Sequence, residues 1–152
     1  MGMVMGFTAV TAEEMTAAIA DTDTARELAG AHQRPGFAYL YLDKSWDGIR
    51  YLMRAAGMGI DLFADGASLG EDGTLSGWSV EDIAEAAAVV TPMPFADLRG
   101  WYNPKRMLDE DVYPEIWESD WAKDYVLNYY RDLREFFMDT AEKRRAALMS
   151  WG

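Results

Sequence analysis

The sequence predicts a single α/β domain, with a mixed sheet of about four strands packed between helices and an α+β arrangement as the alternative. Three observations carry this. Two apolar, strand-like runs, one ending at Val10 and one spanning residues 37–42, are each followed at once by a segment of helical periodicity. The 37–42 run is apolar on both faces, as a central strand covered by helices on both sides would be. Near the C-terminus a long helical pattern over residues 121–145 leads into a closing strand over 146–151.

Val4, Phe7 and Val10 mark the first strand, and Thr11-x-x-Glu14 is a capping box that opens a helix reaching about Ala20. A second short helix covers 24–30 and stops at Gln33-Arg34-Pro35-Gly36. After the 37–42 strand, a helix over 44–56 sets Trp46, Ile49, Met53 and Ala56 on one stripe, and Gly57 and Gly59 end it. Residues 61–76, rich in glycine and carboxylate, read as a long loop with a short strand near Trp78. Ser79 caps the next helix, whose buried face is Val80, Ile83, Ala84, Ala87 and Val90. Thr91-Pro92-Met93-Pro94 breaks the chain, and short helices start near Pro94 and at Asn103-Pro104. In the longest helix Ala122, Val126, Tyr130, Leu133, Phe137 and Ala141 recur at helical spacing, with an acidic start and a basic end that suit its dipole.

Composition narrows the function classes. The chain has 152 residues, half of them hydrophobic, and a net charge of −12, with the acidic excess divided evenly between its halves. A uniform negative field repels phosphate backbones, so no nucleic-acid partner is expected. It suits a basic protein partner or a metal, and it is also a common route to solubility. With no cysteine, disulfides, thiol nucleophiles and thiolate metal sites are excluded. The N-terminal segment lacks the basic residues and long apolar core of a signal peptide. No apolar run approaches the roughly 20 residues of a membrane helix. We therefore expect a cytoplasmic, soluble protein, monomeric or weakly dimeric, with no membrane partner and no cofactor.

The most informative segment is 42–53, where the apolar run meets Asp43 and turns into a helix carrying Lys44, Trp46 and Asp47. Strand-to-helix junctions are where α/β proteins aim ligand-facing groups. Read functionally, Asp43 faces a cleft with Asp47 one turn along. Read structurally, it is the N-cap of a helix starting at Lys44, and this second reading is favoured because Asp is among the preferred caps. Tyr113-Pro114-Glu115-Ile116-Trp117 is the second candidate. Tyr113 and Trp117 could wall a pocket near Glu115 and Asp111, or Pro114 could open a helix with Trp117 packed inward. Glu71, from the glycine-rich loop, completes the candidate surface.

Other chemistry is thinly represented. Asp61 to Gly66, with Asp72 beyond, superficially resembles a calcium loop, but Phe63 stands where an oxygen ligand is needed. No metal site is expected. His32, the only histidine, sits in what reads as an exposed loop, and no nucleophile elbow, phosphate loop, dinucleotide fingerprint or zinc-protease motif is present. Any catalysis would fall to carboxylates.

Several ordered pieces together resemble one known family. These are Met1-Gly2-Met3, residues 42–53, Gly66-x-x-Leu69-Gly70-Glu71, Ser79-x-Glu81-Asp82-Ile83 and Tyr102-Asn103-Pro104. Tyr113-Pro114-x-x-Trp117, Leu133-Arg134-x-Phe136-Phe137 and Leu148-x-x-Trp151 complete the set. The pattern is similar to that of the YfbM-like bacterial proteins of unknown function and extends over essentially the whole chain. The resemblance implies one α/β domain with a mixed sheet between helices, and it implies no activity. The chain departs from the pattern in its glycine-rich loop, which is expanded and acidic (Asp61, Asp65, Glu71, Asp72).

The leading expectation is a non-enzymatic binding or interaction protein presenting an acidic, aromatic-lined cleft to a basic protein or a small molecule. The alternative is a carboxylate-based or metal-assisted hydrolase using Asp43, Asp47 and Glu71 or Glu115.

Overall fold

The two ends of the chain meet at the centre of one sheet. In the computed structural model, which describes residues 2–152, β1 (Met5–Val10) pairs antiparallel along its whole length with the last strand, Ala146–Trp151. Met1, quoted in the resemblance above, lies outside the described residues. Between these strands the chain runs through α1 (Ala12–Ala20), α2 (Thr22–Ala29), β2 (Tyr39–Tyr41) and α3 (Trp46–Ala55). The hairpin β3 (Ala67–Leu69) and β4 (Leu75–Trp78) follows, then α4 (Val80–Val90), α5 (Phe95–Leu98), α6 (Pro104–Asp109), α7 (Ala122–Glu142) and the closing strand, β5. The sheet order is β2-β1-β5-β4-β3.

Strand alternation sorts the core into two layers. Met5, Phe7, Ala9, Ala147 and Met149 face the larger core, shared with α3, α4 and α7. Val10, Ala146, Leu148, Leu69 and Leu75 face the smaller one, covered by α1 and α2. Phe7 and Trp78 pack on Phe137 of α7 with ring centroids 5.6 and 5.7 Å apart. Helix starts are closed as the residue types dictate. The Thr11 hydroxyl accepts from the Glu14 N–H while the Glu14 carboxylate accepts from the Thr11 N–H, and Ser79 and Asp82 repeat the arrangement. Asn103 caps α6, with Pro104 at its first turn.

The α/β class, the single domain, the long C-terminal helix and the closing strand stand as predicted. The sheet differs in detail: among the described residues it has five strands rather than about four, and every neighbouring pair is antiparallel rather than mixed. The added strand is β3, inside the segment read as loop, where Gly70 and Gly73, both at positive φ, make the turn of a hairpin. The buried face of α4 uses Ala86, while Ala84 is exposed.

The 37–42 run is corrected most. It supplies only three strand residues and forms a sheet edge, not the centre. The central places go to β1 and β5, which bury six and four residues. Leu40 is buried against α7's side of the sheet, whereas Tyr39 and Tyr41 lie on the other face, Tyr41 45% exposed. Tyrosines give an edge strand the apolar look of a central one, because each ring is apolar while its hydroxyl supplies a polar end suited to the surface.

Candidate functional site

The junction after β2 is built differently from a capped helix start. Asp43 adopts a left-handed backbone (φ 51°), which Asp tolerates better than most residues. Helix α3 begins only at Trp46, with Ser45 at the cap position, and the Ser45 hydroxyl donates back to the Leu42 carbonyl at 2.6 Å. Asp43 therefore does not cap the helix. Its carboxylate accepts from two tyrosines instead, Tyr125 Oη at 2.7 Å and Tyr41 Oη at 3.2 Å. Burial, and then the Asp43 carboxylate, push the Tyr125 phenol well above its ordinary value.

Trp46, Asp47 and Tyr113 do come together, around the N-terminal segment. Trp46 Nε1 donates to the Met3 carbonyl at 2.9 Å, and the Met3 N–H donates to Tyr113 Oη at 2.8 Å. The Tyr113 N–H donates to Asp47 Oδ2 at 2.9 Å, and the Trp46 and Tyr113 rings lie 5.9 Å apart. Lys44 is exposed, and its side chain lies over Gly2. The remaining members are placed elsewhere. Trp117, 1% exposed, is packed under Gly48 with its Nε1 donating to the Val112 carbonyl at 2.8 Å. No helix starts at Pro114, which follows a cis bond. Glu115 is exposed beyond Tyr113, with no hydrogen-bond partner among the described residues. Glu71 is exposed in the β3–β4 turn, where Gly70 packs on Thr22 of α2, on the other side of the sheet from α3.

Two arginines tie down the acidic loop, Arg26 at Asp72 and Arg50 at Asp61. Arg50 donates from Nε and Nη2 to the two oxygens of Asp61 at 2.7 and 2.9 Å, and from Nη1 to Asp47 at 3.0 Å. Burial alone would raise the Asp61 carboxyl, but the Arg50 guanidinium and the Phe63 and Ala64 N–H groups outweigh it and lower it. Both Asp61 oxygens are thus engaged. Among the described residues no three carboxylate or imidazole groups gather in a metal-holding arrangement. His32 is exposed, its ring stacked on Tyr39 at 4.1 Å.

A further surface escapes the sequence reading. Along the free edge of β2 runs a groove of about 360 Å³, with Tyr39, Leu40 and Tyr41 on one side and Asp132, Glu135 and Asp139 of α7 on the other. Tyr129 stands beside it on α7, its phenol raised by burial and by the Asp43 and Asp132 carboxylates. Asp139 pairs with Lys143 at 3.1 Å, but Asp132 and Glu135 have no cationic partner among the described residues. One signal was present: Tyr125, Tyr129, Asp132, Phe136 and Asp139 recur at helical spacing, one position behind the core stripe of α7. What the spacing alone could not supply was the strand laid against that stripe.

The comparisons with known proteins fit this architecture. The family model described as "Domain of unknown function (DUF1877)" matches residues 1–150. Among solved structures, the crystal structure of YfbM from Escherichia coli, itself titled a protein of unknown function, superposes with a TM-score of 0.67 at 17% sequence identity. That match covers 98% of this chain and 99% of the other. At that identity the likeness speaks for the fold alone. No curated protein matches. No helix among the described residues is long and apolar enough to cross a membrane. With nearly its full length matched by the family model, this chain belongs to the YfbM-like family, the domain of unknown function DUF1877.

Proposed function

We propose that this protein is a soluble, cytoplasmic bacterial binding protein that receives a basic partner on an acidic, tyrosine-lined surface between β2 and α7. The observation that carries the reading is the uncompensated pair Asp132 and Glu135 on an open groove beside exposed Tyr41. Elsewhere many acidic side chains are committed: Glu14 and Asp82 to capping boxes, Asp21 to a cap, Asp47 and Asp61 to Arg50, Glu110 to Arg54 and Arg106. A carboxylate left without a cation at a groove keeps its full attraction for an incoming one. Asp43 belongs to this surface through Tyr41 and Tyr125, so one member of the candidate cleft is retained in it.

A hydrolase built on Asp43, Asp47 and Glu71 or Glu115 draws less support. Asp43 and Asp47 are each held by two donors, while Glu71 and Glu115 are carried on opposite sides of the sheet. General acid–base chemistry needs two such groups within reach of one reacting atom. The test is amide chemical-shift mapping during titration with a lysine-rich peptide at low salt. Shifts concentrated at residues 39–43 and 125–139, weakening as salt rises, are expected. Shifts elsewhere, or turnover in an esterase, phosphatase or glycosidase screen that Asp43→Asn abolishes, would overturn the reading.

A further inference from the structure

We propose that the β2 edge accepts an extended basic segment of another protein as a sixth strand, an inference that rests on the acidic-surface reading above and specifies its mode. The register leaves the edge open. Leu42 N donates to the Met5 carbonyl at 2.8 Å and Ala9 N to the Ala38 carbonyl at 3.0 Å, so pairs 5–42 and 9–38 are the hydrogen-bonded ones. Alternation then makes Phe7–Leu40 a bonded pair and turns the N–H and C=O groups of Tyr39 and Tyr41 away from β1. Among the described residues no further strand pairs with β2. Two outward residues offer two donors and two acceptors at strand spacing, the template used in strand addition.

The surroundings select what the strand carries. Asp132 to Asp139 spans about 10 Å of helix, close to three residues of extended chain at about 3.3 Å each. An added strand sends alternate side chains to opposite faces. Those turned toward α7 meet Asp132, Glu135 and Asp139, and those turned the other way meet Tyr39 and the stacked His32. Lysine or arginine at every second position, with small or β-branched residues between, satisfies both. A second copy of this chain fits poorly, because pairing β2 with β2 would bring two acidic rows together.

The experiment uses the intact chain and a capped ten-residue peptide alternating lysine and threonine, read by amide hydrogen exchange. Exchange at Tyr39 and Tyr41 should slow at least tenfold on binding. N-methylation of the peptide's alternate residues in one parity should weaken binding at least tenfold, while the other parity is tolerated. Binding with unchanged exchange at Tyr39 and Tyr41, or protection at the β3 edge instead, overturns strand addition and leaves the basic-partner reading standing. Absence of any chemical-shift change overturns both. Protection at Tyr39 and Tyr41 without peptide, accompanied by dimer formation, overturns it in favour of self-pairing.

Discussion

Tyr125 of α7 donates its hydroxyl to Asp43 Oδ2 at 2.7 Å, tying the longest helix to the turn that leaves β2. With Tyr41 on the other carboxylate oxygen, this contact holds the edge strand and the acidic face of α7 as two walls of one groove. Removing it should be costly. Asp43→Ala loses two charge-assisted hydrogen bonds and places alanine at positive φ, a loss of about 1–3 kcal/mol. Asp43→Asn, which tolerates that backbone and keeps one acceptor, should cost less. In urea unfolding, Tyr125→Phe should have little further effect in the Asp43→Ala background, since the two residues share one interaction. Simple additivity of the two losses would contradict the contact.

Gly48 separates two opposing effects. Alanine is the better helix former by about 1 kcal/mol. A Cβ at Gly48, however, would collide with Trp117 Cη2 and sit 2.9 Å from its Cζ2 and 3.0 Å from Val126 Cγ2. Trp117 is pinned by its bond to Val112 and buried, so the ring has little room to yield. Overpacking typically costs about 1–3 kcal/mol and should win. Gly48→Ala is expected to lower the unfolding midpoint; a raised midpoint would mean the indole can move aside.

Alkaline pH should destabilise the fold through its buried phenols. Burial pushes Tyr102 and Tyr130 up to about 12, and each donates to a backbone carbonyl, of Trp117 and Met93, at 2.6 Å. Unfolded, these tyrosines ionise near pH 10. Their contribution is therefore complete below about pH 10 and declines as pH rises toward 12, because only the unfolded chain releases those protons in that window. Urea midpoints measured from pH 8 to 12 should fall beyond pH 10, and Tyr130→Phe should flatten the fall. A midpoint constant across that range would show that the phenols titrate alike in both states.

The elements were largely legible where the signal is local. Thr11 with Glu14, Ser79 with Asp82, and Asn103 with Pro104 each state a helix start within four residues, and each start is where those residues place it. Sheet order was not legible, because β1 finds β5 across most of the chain and nothing near Phe37 records that the central place is already taken. The candidate cleft was legible only in part. Trp46, Asp47 and Tyr113 converge because one helix turn and one loop meet at Met3, a long-range contact no spacing encodes. Asp43 was singled out for its position, but the shorter of its two hydrogen bonds comes from Tyr125, on a helix some eighty residues away.

Glu71 and Glu115 offer a control on the larger candidate surface. Both are exposed and without hydrogen-bond partners among the described residues. Glu71→Ala and Glu115→Ala should change stability by no more than about 0.5 kcal/mol and leave binding of a basic peptide unchanged. Loss of binding in either variant would move the site away from the β2–α7 groove.

If Asp132 and Glu135 draw a basic partner to the β2 edge, the double variant Asp132→Asn, Glu135→Gln should bind the lysine–threonine peptide more weakly, as calorimetry at low and physiological salt would show. At about 0.5–1 kcal/mol per lost charge pair, binding should weaken roughly tenfold at low salt and lose most of its salt dependence, with the melting temperature unchanged within a few degrees. Equal affinity and equal salt dependence for variant and parent would contradict the account.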